Sequence, residues 1–258
     1  MKASELDYEL PPELIAQHPL ERRDDSRLLV FDRATGAVGH RRFSELPEEV
    51  SSGELVVVND TRVLAARIRL EGEPEGEVPL PSYIHEPLED PERYQTVYAE
   101  RPGSAAAPTA GLHFTPELLT RLDVERITLH VGLDTFRPVT AEELAAHRLH
   151  SERYEVAPEA WERIRAAERV LAVGTTTVRV LESLARGAPL AGRTELFITP
   201  GFEFRRVDSL LTNFHLPRTT LLALVMAFAG IEEIRELYRL AVEERYRFYS
   251  FGDAMLIR

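Results

Sequence analysis

Strand and helix signals alternate through the second half of the chain, and this alternation limits the folds open to it. Residues 158–168 (PEAWERIRAAE) carry apolar side chains at helical spacing, 169–174 (RVLAVG) form a short apolar run, and 176–187 (TTVRVLESLARG) return to helical spacing and end at a glycine. Two further helices are predicted over 221–230 and 231–245. The pattern predicts an α/β fold in which helices pack against a mixed sheet.

The first half of the chain contributes mainly strands. Residues 27–43 predict a β-hairpin that turns near Gly36, and 54–58 predict a short apolar strand. A helix is predicted to begin after Thr115, where Thr, Pro and Glu follow in the order of N-cap, first helical position and first-turn acid. Further strands are predicted over 63–70, 124–131 and 193–198.

One segment has no periodicity. Residues 71–81 (EGEPEGEVPLP) are rich in Glu, Gly and Pro, and they predict an exposed linker. The chain shows no internal repeat and no long linker. We therefore expect residues 1–258 to form a single domain.

The composition excludes several classes of protein. The chain has no cysteine, so disulfides, zinc–thiolate sites and cysteine nucleophiles are excluded. A formal net charge of −12 argues against a protein that coats nucleic acid non-specifically. The longest apolar stretch, 221–229, is far shorter than the ~20 residues needed to cross a bilayer, and the N-terminus has no signal pattern. We therefore expect a cytoplasmic protein with no membrane partner.

Two biases among the polar residues bear on function. Lys2 is the only lysine and the other thirty basic residues are arginine, whose planar guanidinium suits phosphates and stacked bases, although a GC-rich genome explains the same bias. Only four side-chain amides occur, at Asn59, Asn213, Gln17 and Gln95. Each of them is therefore a candidate for a task that no other side chain performs.

The clearest candidate for ligand binding is the passage from Val173 through Gly174 into Thr175 and Thr176. A buried strand there is predicted to become a helix, whose free amide groups and dipole favour an anion such as a phosphate or a carboxylate. Ordinary helix capping would give the same pattern. The segment lacks the spacing of a nucleotide-hydrolase P-loop, and no G-x-G-x-x-G motif occurs.

Three other segments place reactive or aromatic side chains in loops. Small residues over 103–111 precede His113, a candidate proton donor or acceptor, although a lone loop histidine also fits a structural role. Asn213 and His215 lie together just before a predicted helix. Residues 246–253 gather four aromatic side chains around one arginine, which fits either base stacking or burial in the core.

Histidines give no metal-binding pattern. Four of them occupy apolar or loop positions, His113, His130, His150 and His215, but none has the H-x-x-x-H or H-E-x-x-H spacing. We therefore expect no catalytic metal. A metal-dependent hydrolase built on these histidines is an alternative that sensitivity to a chelator would test.

Eight segments follow one another from about residue 6 to the C-terminus and together carry a resemblance. They read DYELPPELIAQHPLERRDDSRLLV, NDTRVLAARI, YQTVYAERPGSAAAPTAGLHFT, LHVGLDTFRPV, VGTTTVRVLES, ITPGFEF, TNFHLPRTTLLALVMAFAG and YRFYSFGDAMLI. In this order they closely resemble the S-adenosylmethionine:tRNA ribosyltransferase-isomerase family of queuosine biosynthesis. All four amide side chains lie within these segments.

The resemblance implies a reaction. The family acts on tRNA whose wobble guanine has been replaced by 7-aminomethyl-7-deazaguanine, and it transfers and isomerises the ribosyl part of S-adenosylmethionine to give epoxyqueuosine, adenine and methionine. For this chain it implies a monomer that acts on tRNAs with GUN anticodons, those for aspartate, asparagine, histidine and tyrosine. S-adenosylmethionine is then a co-substrate, and no metal or redox cofactor is needed. A catalytically inactive tRNA-binding relative is the alternative.

The resemblance also suggests roles for residues at matching positions. The candidate catalytic residues are His113, His215 and Asp253. The candidate residues for binding the donor or substrate are Asn59, Asp60, Arg62, Gly174, Thr175, Thr176, Arg179 and Asn213. The candidate tRNA-binding residues are Tyr98, Arg247 and Tyr249.

The chain departs from the family pattern at two places. The family usually carries a sizeable β-rich insertion where only residues 71–81 stand here, so the inserted β-barrel-like domain is predicted to be absent. That departure concerns how the body of the tRNA is held rather than where the chemistry takes place. Asp134 stands where the family commonly has glycine, and an aspartate there can change the contacts to the donor.

Overall fold

The secondary structure is given by a computed structural model that describes residues 2–64, 80–81, 83–132, 144 and 151–258. The described strands are β1 (Arg27–Phe31), β2 (Val38–Arg42), β3 (Glu54–Asn59), β4 (Thr61–Val63), β5 (Arg101–Ser104), β6 (Val124–Leu129), β7 (Glu152–Glu155), β8 (Arg169–Val173), β9 (Ala191–Thr194), β10 (Ser209–Asn213) and β11 (Ala254–Ile257). The described α-helices are α1 (Leu46–Glu49), α2 (Pro116–Leu119), α3 (Pro158–Ala166), α4 (Thr175–Leu184), α5 (Thr220–Ala229) and α6 (Ile231–Glu243).

Nine of the described strands form one mixed sheet, in the order β2-β1-β11-β10-β8-β3-β6-β7-β9. The four central strands β10, β8, β3 and β6 run parallel to one another. β11 is the last strand in the sequence, yet it lies between β10 and β1 and pairs in parallel with β1. β4 and β5 form a separate two-stranded sheet. The prediction of an α/β fold with a mixed sheet is confirmed.

β3, β8 and β10 are buried on both faces, so this part of the sheet forms a middle layer. In β3, Leu55 and Val57 belong to a core cluster that includes residues of α3, α4, α5 and α6. Val56 and Val58 belong to a second cluster on the other face, with residues of α1 and α2. Continuous apolar strands of this kind are typical of parallel strands that are covered on both sides.

The predicted hairpin and the predicted helix start are confirmed by their hydrogen bonds. β1 and β2 pair antiparallel, and at the turn the carboxylate of Asp32 accepts the amides of Ala34 and Thr35 at 3.1 and 2.9 Å. Thr115 caps α2, since its Oγ1 accepts the Leu118 amide at 3.3 Å. The helices predicted over 158–168, 176–187, 221–230 and 231–245 correspond to α3, α4, α5 and α6.

The strand predicted over 193–198 is wrong in its second half, because β9 ends at Thr194. Beyond that point the Leu196 amide donates to Thr194 Oγ1 at 3.2 Å. The guanidinium of Arg179 donates to the carbonyls of Leu196 and Thr194 at 2.9 and 3.3 Å. These backbone groups are therefore not available for pairing with another strand.

Several sequence predictions lie outside the described residues. The strand predicted over 63–70 is described only as far as Leu64, and the linker over 71–81 only at its last two residues. Asp134 and His150 also lie outside the described residues. The single-domain organisation and the absence of an inserted domain therefore stay predictions.

A buried ion pair holds α4 against the outer strands. Arg179 in α4 pairs with Glu152 at the start of β7, and their side chains are only 6% and 4% exposed. Glu152 also accepts the amide of Gly132 at 3.0 Å. Because desolvation of a charge is costly, charges this deeply buried require partners. The pair therefore fixes the position of α4 relative to β7.

Arg179→Met is expected to lower the free energy of unfolding by about 3 kcal/mol, because it removes the cation that balances the buried charge of Glu152. The double variant Arg179→Met/Glu152→Gln should be less destabilised, since neither charge remains. Arg239→Met is the matched control, because its partners Glu236 and Glu243 are exposed, and such pairs contribute about 1 kcal/mol or less. Urea denaturation measures all three, and equal losses for the two single variants would contradict the prediction.

Candidate active site

A cleft of about 470 Å³, its open mouth included, lies beyond the carboxyl ends of β6, β8 and β10. Parallel strands bring these ends to one edge of the sheet, where ligands bind in open α/β folds. The described residues that line it are 107–110, Val131, 174–176, 212–215, Leu221 and 249–250. Among these lining residues there is no carboxylate, lysine or arginine.

The N-terminus of α4 opens into the cleft. Gly174 turns the chain from β8 into α4 with a φ of 85°, a conformation that favours glycine. No side chain caps the first turn, so its amide groups are open to a ligand. Thr175 and Thr176 line the cleft and are 6% and 7% exposed, and neither hydroxyl has a partner among the described residues. The hydroxyl of Thr177, in contrast, donates to the Val173 carbonyl at 2.7 Å.

His215 lines the cleft just after β10 and is held on three sides. Its Nε2 lies 2.8 Å from Thr212 Oγ1, and its amide donates to the Tyr238 hydroxyl at 3.0 Å. Its carbonyl accepts the Tyr8 hydroxyl at 2.5 Å. Burial lowers the pKa of His215 to about 3, because an imidazolium would lose its hydration there. The imidazole is therefore neutral at physiological pH.

His113 lies behind the wall of the cleft. Its Nδ1 is 2.9 Å from Ser26 Oγ and its Nε2 is 3.3 Å from Asn213 Oδ1. Its ring packs on Phe43 with the centroids 4.9 Å apart. Burial lowers the pKa of His113 to about 4. The contact of His113 with the cleft therefore runs through Asn213, which does line it.

The segment 246–253 forms one wall of the cleft, through Tyr249 and Ser250. The rings of Tyr246, Phe248, Tyr249 and Phe251 are all buried. Of the two interpretations of this segment, burial in the core is therefore the one confirmed for these four rings. Tyr249 is both buried and part of the lining of the cleft.

Asp253 and Arg247 stand outside the lining of the cleft. The carboxylate of Asp253 accepts the amides of Arg27 and Arg247 at 2.9 and 2.8 Å, which ties segment 246–253 to the start of β1. Burial raises the pKa of Asp253. The guanidinium of Arg247 donates to the carbonyl of His18, and its Nη1 has no partner within the described chain.

Asn59 and Asp60, which were predicted to bind the donor, join the end of β3 to β6. Asn59 Nδ2 donates to the Leu129 carbonyl at 3.0 Å, and its Oδ1 accepts the Leu129 amide at 2.9 Å. Asp60 accepts the Thr128 hydroxyl at 2.6 Å, and burial raises its pKa. Neither residue lines the cleft.

Three further predicted residues also lie outside the lining. Arg62 pairs with the exposed Glu92. Arg179 is engaged in the buried pair with Glu152. Tyr98 is buried, and in the described part of the chain its hydroxyl has no partner. Of the predicted site residues, six line the cleft: Gly174, Thr175, Thr176, Asn213, His215 and Tyr249.

Sequence reasoning missed other lining residues, among them Thr212 and Ser250. Thr212 sits at the end of a buried strand beside Asn213, and that position is the signal that points to it. Ser250 is placed by a contact between its Oγ and the Tyr83 hydroxyl, 2.5 Å apart. Ser250 and Tyr83 are 167 residues apart in the sequence, so no local pattern encodes their contact.

The histidines do not form a metal site in the part of the chain that is described. Within those ranges no group of three or more His, Asp or Glu side chains could hold a metal ion. His130 instead has its Nδ1 2.9 Å from Thr61 Oγ1. The described helices likewise include none that is long and apolar enough to cross a membrane.

His113 and His215 are expected to make the protein less stable as the pH falls. A histidine of the unfolded chain takes up a proton near pH 6.5, whereas in the folded protein these two do so only at about pH 4 and pH 3. Each therefore contributes stability that is present above pH 6.5 and is lost as the pH falls towards its folded pKa. Between pH 7 and pH 5 the loss is about 2 kcal/mol for each histidine.

Urea unfolding at pH 7 and pH 5 measures this loss. His113→Gln and His215→Gln should each lose about 2 kcal/mol less than the wild type over this interval, whatever their stability at pH 7. His85→Gln, at an exposed histidine, is the control and should follow the wild type. The same loss in all four proteins would show that neither buried imidazole resists protonation.

Comparison with known proteins assigns the family. The sequence model described as "Queuosine biosynthesis protein" matches residues 3–76 and 70–257. The S-adenosylmethionine:tRNA ribosyltransferase-isomerase of Symbiobacterium thermophilum is 46% identical over 340 residues, and that of Carboxydothermus hydrogenoformans 45% over 337, each with 100% of both chains covered. The crystal structure of S-adenosylmethionine tRNA ribosyltransferase from Thermotoga maritima superposes with a TM-score of 0.71 at 37% identity, and it covers 99% of this chain and 100% of that one.

The family match divides at residues 70–76, next to the linker predicted over 71–81. The alignments with the relatives run to 340 and 337 residues, more than the 258 of this chain, so they contain positions without a counterpart here. Two matched stretches that together span nearly the whole chain, relatives about 45% identical along its full length and the shared fold establish one conclusion. The chain belongs to the queuosine biosynthesis protein family, in which its full-length relatives are ribosyltransferase-isomerases.

Proposed function

We propose that the chain transfers and isomerises the ribosyl group of S-adenosylmethionine onto 7-aminomethyl-7-deazaguanine at the wobble position of tRNAs with GUN anticodons. The products are epoxyqueuosine-tRNA, adenine and methionine, and no cofactor is required. The names of the full-length relatives support the class of reaction. The observation that carries the proposal is the cleft, which combines an open helix N-terminus, a neutral imidazole and apolar walls.

The carboxylate of the donor's methionine part is proposed to bind at the N-terminus of α4. The open amides of the first turn and the dipole of the helix favour an anion there. The hydroxyls of Thr175 and Thr176 face the same space without partners among the described residues. No carboxylate in the described lining would repel the ligand. The amino-acid end of the donor would therefore be fixed by dipoles and hydroxyls.

The remainder of the donor is proposed to lie along the apolar part of the lining. Val131 and Leu221 offer apolar surfaces suited to a flat base. Tyr249 also lines the cleft, and aromatic rings attract a cation such as a sulfonium through their negative faces. This arrangement would place the ribosyl group between the two ends of the cleft.

His215 is proposed as the acid–base group beside the ribosyl group or the departing adenine. It is the histidine that lines the cleft, whereas His113 lies behind the wall. Because burial lowers the pKa of His215 to about 3, the imidazole is in its basic form throughout the physiological range. It would therefore begin the reaction without a proton, and it can take one up only where a charge that develops in the reaction offsets the cost of burying an imidazolium.

Incubation of the protein with S-adenosylmethionine and a tRNA bearing 7-aminomethyl-7-deazaguanine tests the proposal. We expect adenine release together with the matching mass gain on the tRNA. The same tRNA with guanine at the wobble position is the control and should give neither signal. Tight binding of the modified tRNA without adenine release would identify a non-catalytic relative, and activity abolished by a chelator would favour the metal-dependent alternative.

Thr175→Val and Thr176→Val are each expected to raise the KM for S-adenosylmethionine about 10-fold, because a hydrogen bond to a charged group contributes about 1.5–3 kcal/mol. The kcat should change little, since the carboxylate is remote from the reacting carbon. Adenine release measured over a range of donor concentrations separates the two constants. Thr177→Val is the matched control, since its hydroxyl bonds the Val173 carbonyl instead. A KM unchanged in both test variants would remove the carboxylate assignment.

A further inference from the structure

A chain of buried hydrogen bonds crosses from behind the sheet to the wall of the cleft. It begins at Ser26, whose Oγ is 2.9 Å from His113 Nδ1, and continues from His113 Nε2 to Asn213 Oδ1 at 3.3 Å. Asn213 Nδ2 then donates to the carbonyls of Tyr249 and Ser250 at 2.7 and 3.4 Å. Tyr249 and Ser250 line the cleft directly. His113, which does not line the cleft, is thus connected through Asn213 to Tyr249 and Ser250, which do.

The partners of Asn213 determine how each group in this chain is oriented. Two carbonyl oxygens face one end of the amide, so that end must be the NH₂ group. The amide oxygen therefore faces His113, and His113 Nε2 must carry the hydrogen that it accepts. Nδ1 of the neutral ring is then an acceptor, and the single hydrogen of the Ser26 hydroxyl is shared between Nδ1 and the Arg23 carbonyl, each 2.9 Å from Oγ. His113 is held as a single tautomer, and both of its ring nitrogens are occupied.

Tyr249 needs this support because its backbone is strained. Its φ is 75°, in the left-handed region that residues with a side chain rarely adopt. The Tyr249 amide donates to the Phe214 carbonyl at 3.0 Å, and its carbonyl accepts from Asn213. Both polar groups of the strained residue are therefore fixed by the residues at the end of β10.

Asn213 differs in this respect from the other three amides of the chain. Gln17, Asn59 and Gln95 each bond backbone groups with both the nitrogen and the oxygen of the amide. Asn213 gives its nitrogen to the backbone and its oxygen to the side chain of His113. An amide that only satisfies backbone groups has no need of a histidine partner. The contact with His113 therefore indicates that the orientation of the Asn213 amide matters.

We propose that Asn213 is a positioning residue that sets the Tyr249–Ser250 wall of the donor cleft, and that His113 acts on the reaction only through Asn213. The kinetic part of the inference rests on the proposed function, because it supposes that the donor occupies this cleft. The conformational part does not, because it concerns the unliganded protein. His113 is thereby a positioning residue, whereas His215 contacts the reacting groups.

Replacements at His113 separate positioning from acid–base catalysis. Gln can place its amide nitrogen near the position of Nε2, so His113→Gln keeps a donor for Asn213, whereas His113→Phe keeps the packing on Phe43 and loses both hydrogen bonds. We expect His113→Phe to raise the KM for S-adenosylmethionine about 10-fold with kcat changed less than about 3-fold, and His113→Gln to restore most of that loss. Losses of kcat of about 10²-fold or more in both variants, with KM unchanged, would instead assign His113 to proton transfer.

A second readout needs no substrate. In the unliganded protein, hydrogen exchange of the Tyr249 amide should be about 10-fold faster in His113→Phe and faster still in Asn213→Asp, which replaces the donating NH₂ by an oxygen facing two carbonyls. His113→Gln and the exposed-histidine control His85→Gln should exchange as the wild type does. If Asn213→Asp does not fold, His113→Phe and Ser26→Ala carry the test.

The two readouts keep the inference distinct from the proposed function. A wild type that releases no adenine, with exchange that changes as expected, would overturn the proposed function and leave the role of Asn213 in place. An active wild type whose Tyr249 exchange and donor KM are unchanged in His113→Phe would overturn the inference alone.

Discussion

Three of the central parallel strands, β3, β8 and β10, bury both of their faces, so polar side chains can be accommodated mainly where these strands end. β3, β6, β8 and β10 run in the same direction, and their ends meet at one edge of the sheet. The residues that follow them either satisfy backbone groups, as Asn59 does, or face the cleft, as Thr176 and His215 do. The described lining contains no ionised side chain, so its electrostatic character comes from helix dipoles, hydroxyls and neutral rings. Such groups keep one charge state over a wide range of pH.

The four amide side chains show how strictly buried polar groups are used. An amide donates and accepts at the same time, and its planar group does so in a fixed geometry. The Asn59 side chain bonds both the backbone amide and the backbone carbonyl of Leu129 in β6. The Gln95 side chain bonds the backbone amide and carbonyl of Val63 in the same way. Loss of Asn59, Gln95 or Asn213 would leave buried backbone groups without partners. This requirement explains why these amides occur in a chain that has so few.

Local patterns were sufficient for helices α2 to α6, for several of the strands and for part of the cleft. The passage from strand to helix at Gly174 and the helix start after Thr115 follow from spacing and capping alone. The partners of His113 do not, because Asn213 lies 100 residues away in the sequence. In the same way, nothing near Arg179 distinguishes an arginine that binds a ligand from one that pairs with a buried carboxylate. Sequence patterns therefore located candidate residues, and tertiary contacts decided which of them face the cleft.

The place of β11 in the sheet has a consequence for how the chain comes to fold. β1 and β2 are made early, but β1 connects to the parallel centre only through β11, which is formed by residues near 258. During synthesis on the ribosome β1 therefore keeps an unpaired strand edge until β11 has been made, after the strands of the parallel centre. Contacts of such long sequence separation slow folding and expose intermediates to aggregation. The order of synthesis and the order of the strands therefore differ in this fold, and the hairpin joins the parallel centre only after β11 has formed.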